Sequence, residues 1–163
     1  MNRVTILCVE DEPEVRDALI RDLDPFATVF RIEAAEDAKD ALQVVRECAD
    51  VGDPIGLVLC DHLLPGMLGA DLLVELKSKP ESASARKVLV TGQAGLEDTI
   101  KAVNDADLDY YIAKPWSRDA LHAVVRKYLT DYVIDEMENL LPFVSVLDGP
   151  RLLEAQKNRG QHE

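Results

Sequence analysis

The chain has 163 residues, 47% hydrophobic and 30% charged, which is enough for one domain with a core and some additional length. A formal net charge of -13 repels phosphate backbones and anionic lipid, so direct nucleic-acid binding is disfavoured and a divalent cation is favoured. No apolar run approaches the roughly 20 residues that span a bilayer, and acids follow the first apolar run (MNRVTILCVEDEP) where a signal peptide would continue.

Strand and helix patterns alternate along the chain. Val4 to Val9 is short, β-branched and apolar on both faces, which predicts a buried strand. Pro13 suits a first helical turn, Val15, Ala18, Leu19 and Leu23 give a helical stripe, and Asp24-Pro25 ends it. A second strand is expected near Ala27 to Ile32, then a helix from Glu36 to Ala49. Gly52, Pro54 and Gly56 mark a turn before a third strand, Leu57 to Cys60. The segment DHLLPGMLG reads as a loop because it contains Pro65 and Gly66. Further on the pattern predicts a helix from Met67 to Ser78, a strand from Lys87 to Val90, a helix from Leu96 to Asn104 and a strand from Leu108 to Ile112. Cys8 and Cys60 fall inside strand runs and Cys48 near a helix end. Free buried thiols of this kind fit a reducing, cytoplasmic setting.

Five βα units imply a parallel sheet with helices on both faces, and ligands of such sheets bind outside the carboxyl ends of the strands. Four endings carry chemistry: Glu10-Asp11, Asp61, Thr91 and Lys114-Pro115. Alone, each has a bland reading: an Asp after a strand is usually a cap or turn residue, and a Lys a solvated charge. Together they bring carboxylates, a hydroxyl and an ammonium to one edge. Close carboxylates repel unless a hard cation with oxygen ligands, Mg²⁺ above all, lies between them. A positioned aspartate whose developing charge is neutralised can accept a phosphoryl group. His62, with no other histidine near in sequence, reads as an exposed loop residue, and Trp116 as a packing anchor.

In this order the motifs VEDEP, DHLLPGMLG, VTG and DYYIAKPW resemble those of a response-regulator receiver domain, the phosphoacceptor of two-component signalling. The resemblance covers about Arg3 to Leu129. It implies a flavodoxin-like, doubly wound five-stranded parallel sheet of order 2-1-3-4-5. It also implies Mg²⁺ as cofactor, and a histidine kinase or phosphotransfer protein as donor. By the same resemblance Asp61 is the phosphorylated residue, and Glu10, Asp11, Asp61 and the backbone carbonyl of Leu63 hold the metal. Lys114 and Thr91 contact the phosphoryl group, and Thr91 and Tyr111 form the switch pair. Such a domain is a switch that catalyses its own phosphorylation and slow autodephosphorylation, not an enzyme that turns over a substrate. Two departures stand out. Glu10 occupies a place where the family more often has Asp. Leu63, two residues past the acceptor, cannot orient a hydrolytic water, so slow loss of the phosphoryl group is expected.

The last helix is expected to run unbroken from Arg118 to Leu141 before Pro142, about 36 Å at 1.5 Å per residue. Leu121, Val124, Val125, Tyr128 and Tyr132 form its inward stripe, and Val133, Met137, Leu140 and Val144 continue an apolar stripe past the expected end of the domain. The division is therefore a receiver at 1–129 and a helical extension at 130–163. The stripe is covered either by the chain's own tail, with Pro150 starting a short helix that Gly160 ends, or by a homodimer partner or downstream effector. Two rival readings exist. One is an aspartyl-phosphate hydrolase of the haloacid-dehalogenase type, which needs a second acid where Leu63 stands. The other is a pseudo-receiver that never takes phosphate.

Overall fold

Continuous apolar runs make the central strands. Thr5–Val9 (β1) and Ile55–Cys60 (β3) are buried at every residue, as is Arg86–Thr91 (β4) after its first. The computed structural model describes residues 2–92 and 96–160, with backbone alone at 96, 98 and 100–102. Arg31–Ala35 (β2) and Tyr110–Ala113 (β5) complete a parallel sheet of order β2-β1-β3-β4-β5. The helices are Pro13–Asp22 (α1), Ala38–Asp50 (α2), Gly69–Lys77 (α3), Leu96–Asp105 (α4), Arg118–Glu136 (α5) and Gly149–Gly160 (α6). Side chains alternate across the sheet as the strand period of two requires. Ile6, Cys8, Leu57, Leu59, Val88 and Val90 join Leu19 of α1, Leu23 at its C-terminal end and the buried stripe of α5 in one core. Leu7, Val9, Val58, Cys60 and Leu89 face the core built with α2 and α3.

Helix starts follow the cap chemistry. Asp37 accepts from the amide of Asp40 at 2.8 Å and Ser117 from that of Ala120 at 3.1 Å, while Pro13 occupies the first turn of α1. Gly56 is required by a close approach. A Cβ there would lie 2.5 Å from Val4 Cγ1 and 3.1 Å from the ring of Tyr132, so its absence lets α5 settle on β3. Burial pushes the Tyr132 hydroxyl up to about 12.

Gly56, expected in a turn, lies within β3, and β5 is Tyr110–Ala113 rather than Leu108 to Ile112. Two further elements differ more from expectation. The second strand is Arg31–Ala35, not Ala27 to Ile32. Residues from Asp24 to Phe26 form a 3-10 turn, and Phe26 and Phe30 enter the core from turns. The last helix ends at Glu136, five residues before Leu141, because Met137 adopts an extended backbone (φ -108°, ψ 141°). No Gly or Pro marks that stop. The guanidinium of Arg159, on α6, takes over the loose carbonyls, donating to Met137 at 2.6 Å, Glu138 at 2.9 Å and also Ile134.

The tail therefore returns to the domain. A 3-10 turn at Leu141–Phe143 leads to α6, whose first turn holds Pro150 and whose last residue is Gly160. Leu140, Phe143, Leu147 and Leu152 lie in the same core as β1 and α5, with Met137 and Val144 packed against it. The Phe143 ring stacks on Phe30 with centroids 5.6 Å apart. Polar ties reinforce the return: the Leu140 amide donates to Gln156 Oε1 at 2.8 Å, and Arg151 pairs with Asp131 at 2.8 Å. The chain's own tail covers the apolar stripe that outran the expected domain. His162 lies outside the described residues. Among the described residues, no helix is long and apolar enough to cross a membrane.

Candidate functional site

Four strand endings meet at the carboxyl edge. The Glu10 amide donates to Ala35 O at 3.0 Å and the Asp61 amide to Val9 O at 2.9 Å, so the ladder fixes both acids as the sheet ends. Lys114 follows β5, its amide donating to Thr91 O at 3.3 Å, and its bond to Pro115 is cis. Glu10, Asp11 and Asp61 each offer a carboxylate oxygen within 4.8 Å of the others. The Lys114 ammonium pairs with Glu10 and lies 3.4 Å from Asp61 Oδ2. Residues far apart in sequence thus form one cluster of three acids and one base.

The cluster is poorly hydrated. Glu10 is 2% exposed and Asp61 6%, with Asp11 half-buried at the rim. Burial raises the Glu10 carboxyl above its ordinary value. The hydrogen bonds from Lys114 and from the Glu12 amide, at 3.2 Å, oppose this, and the Asp61 charge adds to it. For Lys114, burial acts downward but is outweighed by the bond to Glu10 and the charges of Asp61 and Glu10, so the ammonium is held above its usual range. An excess of buried negative charge is the condition a hard divalent cation relieves, and the all-oxygen donor set fits Mg²⁺.

Thr91 is buried at the end of β4. Tyr111 lies beside it on β5, its hydroxyl donating to Thr91 O at 2.9 Å. Leu63 projects outward, 49% exposed. Trp116 anchors the entry to α5 through a 2.9 Å bond from Nε1 to Asp22 Oδ2. The Cys60 thiol donates to Asp61 O at 3.2 Å, and its pKa is pushed far up, first by burial and then by the Asp61 and Glu10 charges. It stays a protonated thiol, unsuited to redox chemistry.

One expectation fails. His62 is 1% exposed, not an exposed loop residue. It is buried because its backbone and ring both serve the loop: its amide donates to Asp61 Oδ1 at 2.8 Å, and its Nδ1 accepts from the Ala70 amide at 3.4 Å. Gly69 is a second participant that the sequence pattern does not single out. A Cβ on it would lie 2.1 Å from Asp61 O and 2.8 Å from His62 Cα, so the start of α3 rests directly on the backbone of Asp61. The glycine ending DHLLPGMLG was the available signal, a small residue where a loop must meet a strand end.

Residues 6–126 match the response regulator receiver domain. The hydrogenase transcriptional regulatory protein HoxA of Cupriavidus necator is 33% identical over 126 residues, which are 77% of this chain and 24% of that regulator. The chain thus spans about a quarter of that relative's length. Among solved structures, the signal receiver domain of an HD domain-containing protein from Pseudomonas fluorescens Pf-5 superposes with a TM-score of 0.70 at 27% identity, covering 81% of this chain and 90% of that one. A CheY-like response regulator receiver domain protein from Methanospirillum hungatei gives 0.69 at 27% identity, covering 80% and 97%. The fold is that of a signalling-switch domain. The chain belongs to the response regulator receiver domain family of two-component systems.

Proposed function

We propose that this protein accepts a phosphoryl group on Asp61 from the phosphohistidine of a kinase or phosphotransfer protein, and that the acyl phosphate switches a protein-binding face. A carboxylate oxygen of Asp61 attacks phosphorus in line. The P–N bond to the donor imidazole breaks, and its electron pair returns to the ring nitrogen, which takes up a proton. Glu10, Asp11, Asp61 and the Leu63 carbonyl would hold Mg²⁺, which supplies neutralisation of the phosphoryl charge. Lys114, resting between Glu10 and Asp61, turns to a phosphoryl oxygen, and the Thr91 hydroxyl donates to another. As Thr91 moves, Tyr111 repacks, and the face of α4, β5 and α5, where Val103 and Tyr110 are exposed, changes its affinity for a downstream protein.

The convergence of Asp61 with Glu10, Asp11 and Lys114 carries this reading. The hydrolase alternative lacks its second acid, since Leu63 stands there. The buried free thiols of Cys8, Cys48 and Cys60 fit action in the reducing cytoplasm. Incubation with acetyl phosphate and Mg²⁺ tests the proposal. The intact mass should rise by one phosphoryl group in the wild type and not in Asp61→Asn. An unchanged wild-type mass would favour a phosphate-independent module.

A further inference from the structure

We infer that His62 is a positioning residue, whose imidazole caps α3 from outside the helix and so holds the loop carrying Asp61 and Leu63 in its metal-binding shape; this rests on the functional reading above. Helix α3 starts at Gly69, and its N-cap residue, Leu68, has no side-chain oxygen for the amides of the first turn. His62 meets that need from six residues upstream. Its carbonyl accepts from the Gly69 amide at 2.7 Å and from the Leu64 amide at 3.2 Å, and its ring Nδ1 accepts from the Ala70 amide. The Ala70 amide is the second of the helix, where a capping side chain ordinarily bonds.

The same residue faces the reacting group. Its own amide orients Asp61 through Oδ1 at 2.8 Å. One residue thus ties the acceptor carboxylate to the start of α3, and Gly69, pressed against Asp61 O, makes that joint tight. A ring nitrogen that receives an N–H presents a lone pair, so Nδ1 is unprotonated and the ring proton is on Nε2. Between these ties runs the segment whose Leu63 carbonyl and Asp61 carboxylate must both meet one small ion. Mg²⁺ demands near-ideal octahedral geometry. Loosening the cap therefore acts on metal affinity before it acts on the fold.

The test compares wild type, His62→Leu and His62→Asn. Leucine keeps bulk but offers no acceptor, whereas asparagine presents Oδ1 as many bonds from Cα as Nδ1. Phosphorylation by acetyl phosphate is followed across a Mg²⁺ titration, separating apparent Mg²⁺ affinity from maximal rate. H62L should weaken the affinity about tenfold, the usual cost of losing a group that orients metal ligands. H62N should recover most of it. Equal affinity in H62L and wild type overturns the inference, as does H62N being as impaired as H62L, which would mean that ring bulk alone matters. Imidazole ¹⁵N shifts of the wild type provide a check independent of any variant's folding. A protonated Nδ1 overturns the capping role, and a pyridine-type Nδ1 supports it. Mg²⁺ binding without phosphodonor, read by the fluorescence of Trp116, the one tryptophan, repeats the comparison. A wild type that binds Mg²⁺ but takes no phosphoryl group counts against the proposed function, while this arm still decides the role of His62.

Discussion

Glu10 bears the cost of this site. Its carboxyl is raised chiefly by burial, so the folded protein favours its neutral form more than the unfolded chain does. The favourable contribution is therefore present below the ordinary carboxyl value of 4.5 and is lost as pH rises through the raised folded value. Without metal, Glu10→Gln should melt above wild type at neutral pH, with the difference shrinking as pH falls toward 4.5 in EDTA. Saturating Mg²⁺ should reverse the order, because wild type gains about 2.7 kcal/mol at a hundredfold excess over its dissociation constant and the variant gains less. Thermal melts at several pH values, with and without Mg²⁺, check both signs. Under the proposed function, Leu63 would govern a different step. Its exposed apolar side chain offers no hydrogen bond to a hydrolytic water. Leu63→Asn should shorten the phospho-form lifetime by about tenfold, because its amide can hydrogen-bond and orient the attacking water. Decay of the phosphorylated mass after removal of donor measures it.

At the scale of elements, the joint between β3 and α3 is the most sensitive. Gly69→Ala places a Cβ against backbone, and the loop must move, at about 1–3 kcal/mol for overpacking. Phosphorylation by acetyl phosphate should fall more than stability does, which paired rate and melting measurements would reveal. The C-terminal return makes the opposite kind of prediction. Phe143→Ala removes a ring stacked on Phe30 and should cost about 3–5 kcal/mol while leaving the acidic edge intact. A chain stopped after Leu129 also loses Tyr132, Val133 and Leu140 from the core and should not fold stably, as circular dichroism would report.

These elements also mark what could be read from sequence. The central strands were legible because they are buried on both faces and leave unbroken apolar runs, and each run ends in its chemical residue. The second strand was misplaced because RIEAA lies at an edge and is half polar, while the more apolar Phe26 and Phe30 reach the core from turns. The end of α5 carries no breaker; its loose carbonyls are satisfied by Arg159 arriving from α6, a contact no local pattern announces. His62 was misread for the same reason. Its burial follows from an amide eight residues later that needs an acceptor.

Over the whole molecule, a sheet whose central strands end together brings residues from both ends of the domain to one ion-sized space. Under the proposed function, the phosphoryl group would bias an equilibrium between packings of Thr91 and Tyr111 rather than create a new one. The most direct measurement is a crystal structure with Mg²⁺ and beryllofluoride. The account predicts beryllium on an Asp61 oxygen, one cation shared by Glu10, Asp11, Asp61 and the Leu63 carbonyl, and Lys114 and Thr91 turned onto the fluorides. A fluoride complex bound elsewhere, or Lys114 still seated on Glu10 with no shared cation, would contradict it.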